Sequence, residues 1–211
     1  MLKLSPLGLE EVEQLQLFYE IAGSTVSNQM NYLNLYMRKI TLLLSLTMTI
    51  ISANSQNIKK IQIKDSNNES GCSVYSFCDL KFQTSYSEDS SLLFTGECTV
   101  DSLNNGVICV KLRDAISTLN DAETLLINYL DFLKTSFSIT KSAGYGKGHQ
   151  LRNNEKTRGV VDYWEDGEHN NWKVKAWTDK AYIVILYSYS LKNLPETRID
   201  AYLNSLIFPG M

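Results

Sequence analysis

Four side chains able to bind a cation or move a proton fall within five residues: Glu165, Asp166, Glu168 and His169. Carboxylates and an imidazole this close offer oxygen and nitrogen ligands, and paired carboxylates suit general acid–base work. The same stretch holds Asp166-Gly167, a turn-forming pair, so a solvated hairpin tip accounts for it without any chemistry. A second cluster, Gly144-Tyr145-Gly146-Lys147-Gly148, invites a phosphate-binding reading, because clustered glycines let backbone N–H groups approach an anion that a lysine then neutralises. A phosphate loop requires G-x-x-x-x-G-K, then Ser or Thr, then a helix; here Gly148 follows Lys147 and a strand is expected next. We read the run as a connector. Tyr145, Lys147, His149 and Arg152 along it, with Trp164, are the candidate ligand-binding residues. No catalytic set is recognised, since the EF-hand, H-E-x-x-H and G-x-S-x-G patterns are absent from the sequence. Neither a metal nor a cofactor is expected.

Aromatic side chains crowd the same part of the chain: Trp164, Trp172 and Trp177 with Tyr163, Tyr182, Tyr187 and Tyr189. They would serve a binding face, but strands favour such residues for cross-strand packing, and core is the preferred assignment.

Cys72, Cys78, Cys98 and Cys109 form an even set. Cys72 and Cys78 flank a strand-like run that holds them about 20 Å apart, so a bridge between them requires a turn. With Ser102 to Asn105 as a hairpin tip, Cys98 faces Cys109, and that is the favoured disulfide. Buried reduced thiols are the competing reading. The spacings match no zinc ribbon or finger.

These residues have to be positioned by elements that the pattern also predicts. Ile58–Lys64, Val74–Phe82, Leu92–Val100 and Gly106–Leu112 read as strands, with Asp65–Gly71 as a polar connector. Ala122, Leu125, Leu126, Tyr129, Leu130 and Leu133 recur at helical spacing as a core face, and Asn120 with Glu123 gives a capping-box start. Strand character resumes at Phe137–Thr140, and a meander follows at Gly159–Trp164, Trp172–Trp177 and Tyr182–Tyr189. The run Ala181–Leu186 is apolar almost throughout, as a central strand must be. Pro195 opens a last helix with Ile199, Tyr202, Leu203 and Leu206 inward, ended by Phe208-Pro209. The expected fold is α+β, an antiparallel sheet of six or seven strands with two helices packed on it.

Upstream, Arg38-Lys39 precedes the uncharged, mostly apolar stretch Ile40–Ile51, and Ala53-Asn54-Ser55 supplies small residues. This is the layout of a signal peptide, with cleavage after Ser55; the apolar stretch is shorter than the roughly 20 residues that span a bilayer. We therefore expect three segments: 1–36, an upstream extension or start-site error carrying Glu10, Glu11, Glu13 and Glu20; 37–55, the signal; and 56–211, a single α+β domain with no stable membrane anchor. Oxidising surroundings after export favour disulfides. The 211 residues, 44% of them hydrophobic, suffice for one packed core. A net charge of -3 offers no broad basic surface, so nucleic acid is not an expected partner.

The element order, with Ala122–Lys134 leading into Phe137-Ser138-Ile139, then Arg158–Tyr163 and the closing Tyr202-Leu203-Asn204-Ser205-Leu206-Ile207-Phe208, resembles the Mog1/PsbP-like group and its exported bacterial relatives. The resemblance covers most of 56–211. It implies a sheet sandwiched by helices and a binding or assembly role, because members of the group are mostly non-enzymatic accessory proteins. No functional residue carries over. The expectation is thus a secreted or periplasmic accessory protein that binds an envelope protein or small ligand. The alternative is a secreted, hydrolase-like enzyme using the acidic residues of the 165–169 turn.

Overall fold

A strand that is apolar on both faces has to lie inside a sheet covered on both sides. Tyr182–Ser190 does so in the structure, a computed structural model that describes residues 58–192 and 194–211. The expected signal and the residues before it fall outside that range.

The chain is α+β. Its strands are β1 (Lys59–Lys64), β2 (Glu69–Ser76), β3 (Lys81–Tyr86), β4 (Leu92–Val100) and β5 (Leu103–Lys111), followed by helix α1 (Leu119–Ser136). Then come β6 (Ile139–Ser142), β7 (Gly146–His149), β8 (Arg158–Asp166), β9 (Asn171–Thr178), β10 (Tyr182–Ser190) and helix α2 (Glu196–Leu203). All strand pairs are antiparallel. Where six or seven strands were expected in one sheet, β1 and β2 form a sheet of two. The other eight form a larger one, ordered β3-β4-β5-β10-β9-β8-β6, with β7 also paired to β8. The glycine run expected as a connector thus supplies a short strand.

Alternation along β10 builds two cores. Ile183, Ile185 and Tyr187 pack with Leu126, Leu130 and Leu133 of α1, whereas Val184 and Leu186 pack with Ile199, Tyr202 and Leu203 of α2 and with Val74 of β2. Each fully buried Val, Leu or Ile among them contributes about 1.5–3 kcal/mol. The tail after α2 is tied to β2 by paired backbone bonds between Ser73 and Ile207 (3.0 and 2.8 Å). Among the described residues, no helix is long and apolar enough to cross a membrane.

Several boundaries differ from the sequence reading for local reasons. The run 74–82 is two strands, because the Ser76 hydroxyl bonds the Cys78 carbonyl (2.8 Å) and accepts the Cys78 N–H (3.2 Å), turning the chain. The β4–β5 tip is the pair Asp101-Ser102, both at positive φ, rather than Ser102–Asn105. Two such residues give the turn that matches strand twist. Cys98 therefore pairs with Asn105, and Cys109 lies opposite Phe94, so the favoured Cys98–Cys109 bridge does not form. The disulfide joins Cys78 to Cys98, with Cα atoms 5.9 Å apart, and Cys72 and Cys109 remain as buried thiols. The cap of α1 is Thr118, whose hydroxyl accepts the Asp121 N–H (3.1 Å), displacing the Asn120/Glu123 box by two residues. Helix α2 stops at Leu203, and the Ser205 hydroxyl donates to the Tyr75 carbonyl (3.1 Å).

Two glycines exist to admit rings. A Cβ on Gly159 would sit 2.2 Å from the Trp177 ring, and one on Gly106 would sit 2.1 Å from Tyr187. Gly159→Ala must push Trp177 out of a full core, and we expect a loss of about 1–3 kcal/mol, read as a lower urea midpoint at unchanged slope.

Candidate functional site

Helix α1 ends over β8, and its last turn carries Lys134. The Lys134 ammonium lies 3.0 Å from the Asp162 carboxylate on β8, which is 0% exposed, while the lysine itself is only 18% exposed. Asp162 also accepts from Ser142 Oγ (2.9 Å), Trp164 Nε1 (2.6 Å) and its neighbour's N–H at Tyr163 (2.9 Å). The four acceptor positions of a carboxylate are thereby filled. Lys134 donates to the Tyr145 hydroxyl (2.8 Å) and lies 4.0 Å from that ring's centre, and the Tyr145 hydroxyl donates in turn to Asp131. Burial works against the Lys134 charge, but the bonds to Tyr145 and Asp162 outweigh it and hold the ammonium above the usual lysine range. A lysine that keeps its proton beside a saturated carboxylate is an electrostatic clasp between helix, sheet and glycine loop. It is not arranged to pass a proton.

Of the five candidate binding residues, the structure brings two together. Tyr145 and Trp164 both flank Lys134, with the Trp164 ring 5.9 Å from its ammonium. Lys147 and His149 stand exposed on β7 at the sheet edge. Arg152 turns the other way, donating 3.1 Å to the Ser205 carbonyl after α2. The anion that the glycine loop does hold is internal, since Gly148 N–H donates 2.8 Å to Glu123 of α1.

The acidic turn is committed to its own architecture. Asp166, 7% exposed, accepts from Glu168 N–H, Asn170 N–H and side chain, and Trp172 Nε1, all at 2.8–2.9 Å. Burial would raise this carboxyl, but the Asn170 and Trp172 bonds prevail and hold it below the ordinary 3.8. Glu165 is held low by Lys141 and then by His169, both within 3.0 Å. A group whose folded value is depressed stabilises the fold above the unfolded value and loses that contribution as pH falls through the folded one. Stability is therefore expected to fall below about pH 4, the ordinary carboxylate range, and Asp166→Asn should flatten that dependence in acid titrations followed by tryptophan fluorescence. Among the described residues, no three His, Cys, Asp or Glu side chains converge on a metal position.

The aromatic crowd divides between the faces. Trp164, Trp172 and Tyr187 are buried under α1, with Trp172 stacked 4.0 Å from Tyr189, while Trp177 is buried on the α2 side. Tyr163 is half exposed.

Two concave places escaped the sequence. One is a cleft of about 840 Å³ bordered by Glu155, Lys156, Lys180 and Pro209, in which Asp179 stands half-buried. Burial pushes the Asp179 carboxyl up, against the N–H groups of Tyr182 and Ala181 that donate to it. In sequence it is simply the middle of a short turn. The other is a groove of about 650 Å³ between α1 and the β3–β4 hairpin. Its floor is Leu93 and Val110, Leu125 and Tyr129 of α1 wall one side, and its lips are Tyr86 and Phe132, exposed 69% and 67%. Burial, with the Asp89 carboxylate, pushes the Tyr129 phenol in this groove upward. The buried face of the helix is thus narrower than the six-residue stripe expected to form it: Ala122, Leu126, Leu130 and Leu133 are buried, whereas Leu125 and Tyr129 are half-buried at the groove. A second apolar stripe at i, i+4 and i+7 was the available signal. Comparison of the chain with protein-family models, with curated proteins and with solved structures finds no match.

Proposed function

We propose that this chain is an exported, non-enzymatic binding domain of the cell envelope, released from residues 37–55 and acting as an accessory protein. The observation that carries the reading is the Cys78–Cys98 disulfide, a bond that persists in oxidising compartments and is rare in reducing ones. The groove beside α1 supports it, because exposed aromatic lips over an apolar floor are the features of a recognition surface. Membership of the Mog1/PsbP-like group belongs to the same proposal, supported by the order of strands, helix, strands and helix.

Fractionating host cells after alkylation of free thiols tests the reading. We expect the chain outside the cytoplasm with Cys78 and Cys98 unalkylated. A cytoplasmic chain alkylated at both would overturn it. The second reading, a secreted hydrolase-like enzyme, does not draw its acid from the 165–169 turn, where Glu165 and Asp166 are held low by their own hydrogen bonds; the feature that favours it is Asp179, half-buried in its cleft with a carboxyl that burial pushes up. Asp179→Asn keeps an acceptor for both N–H groups and removes the acid, so loss of a hydrolytic activity in that variant would select the enzyme.

A further inference from the structure

The α1 groove has a chemistry as well as a shape. Leu125, Tyr129 and Phe132 line one side of it over two turns of α1, about 10 Å along the axis. Leu93 and Val110 form the bottom, and Tyr86 faces the helix from the end of β3. Among the described residues that line it, charge enters only through Glu88 and Asp89 on the β3–β4 connection, with no lysine or arginine. Asp89 is fixed there by Ser91, whose N–H (3.1 Å) and hydroxyl (2.9 Å) both donate to it. Apolar floor and anionic rim thus stand side by side, and the two exposed rings offer faces to a cation as well as contact area.

We propose that this groove is the docking site for a basic, amphipathic segment of a partner protein, a helix that lays leucine-like side chains on Leu93, Leu125 and Phe132 and sets lysine or arginine against Glu88 and Asp89. Complementary charge sets the register and speeds encounter, while the aromatic lips hold the complex. The inference rests on the binding-domain reading and adds the partner's chemistry. Export is tested separately by fractionation, so an exported chain that ignores such a segment would remove this occupant and leave that reading standing.

The probe is a fluorescein-labelled peptide of about 14 residues, or roughly four helical turns, with leucine at i, i+3, i+4 and i+7 and lysine elsewhere. A control carries glutamate in place of lysine. Titrated by the full chain in anisotropy, the leucine–lysine peptide is expected to bind and the leucine–glutamate peptide to fail at the same concentrations. Tyr86→Ala and Phe132→Ala, at exposed positions, should each weaken binding about tenfold without shifting the melting curve. Glu88→Gln should weaken it and flatten its salt dependence. Equal binding of both peptides, no binding of the leucine–lysine peptide, or unchanged affinity in both aromatic variants would overturn the proposal. Sedimentation of the unmodified chain as a dimer that Phe132→Ala dissociates would assign the groove to a second copy instead, and would equally overturn it.

Discussion

Asp162→Ala is expected to lower the folding free energy by about 3–5 kcal/mol, the largest loss we foresee for a single side chain. The substitution strips the buried carboxylate from the Lys134 ammonium, which is only 18% exposed, leaving it the more exposed Asp131 carboxylate at 3.7 Å, and it deprives the Trp164 N–H and Ser142 hydroxyl of their acceptor. Lys134→Met should be similarly harmful, because it leaves the Asp162 carboxylate buried without its countercharge. The double variant Asp162→Leu/Lys134→Met should recover much of the loss, since an apolar pair avoids desolvating either charge. Losses that simply add in the double variant would show that the two groups do not act as a unit. With the folded-state value of Lys134 raised, the lysine's own contribution is complete below the unfolded value near 10.5 and is lost as pH rises through the folded one. Urea denaturation of the single and double variants at neutral pH measures the coupling directly.

Cys98→Ala is expected to lower stability by about 3 kcal/mol, the entropy regained by an unfolded chain once the loop between residues 20 apart is released. The bond fastens the turn after β2 to β4, so it joins the two-stranded sheet to the larger one near the edge strand β3. Cys78→Ala should give the same loss, and reductant should bring the unmodified chain to the level of both variants. Cys109→Ala, which removes a buried thiol outside the bridge, should remain sensitive to reductant. A Cys98→Ala chain as stable as the unmodified one, both measured without reductant, would mean the bridge contributes nothing.

What could be read from the sequence follows from how local each determinant is. The bounds of β4 and the central place of β10 were legible because apolar runs and turn residues mark them directly. The α1 stripe was legible as a helix but not as two faces, because periodicity reports which residues are apolar and not how far the sheet extends beneath them. Register was lost at Asp101-Ser102: shifting the tip of a hairpin by a residue or two changes every partner downstream, and with it the cysteine that faces Cys98. Among the candidate binding residues, Tyr145 and Trp164 come to one place because both rings flank the Lys134 ammonium of α1. The acidic turn was legible as a turn. Its saturation by Asn170 and Trp172 depends on side-chain geometry that spacing does not encode.

Export is the claim on which the proposed role depends, and one measurement reaches it most directly: peptide mass mapping, with thiols alkylated at lysis, of the chain isolated from its own host. The account expects an amino terminus at Gln56 and a peptide pair joined through Cys78 and Cys98. Abundant peptides from Leu4 to Tyr19, together with alkylated Cys78 and Cys98, would contradict it.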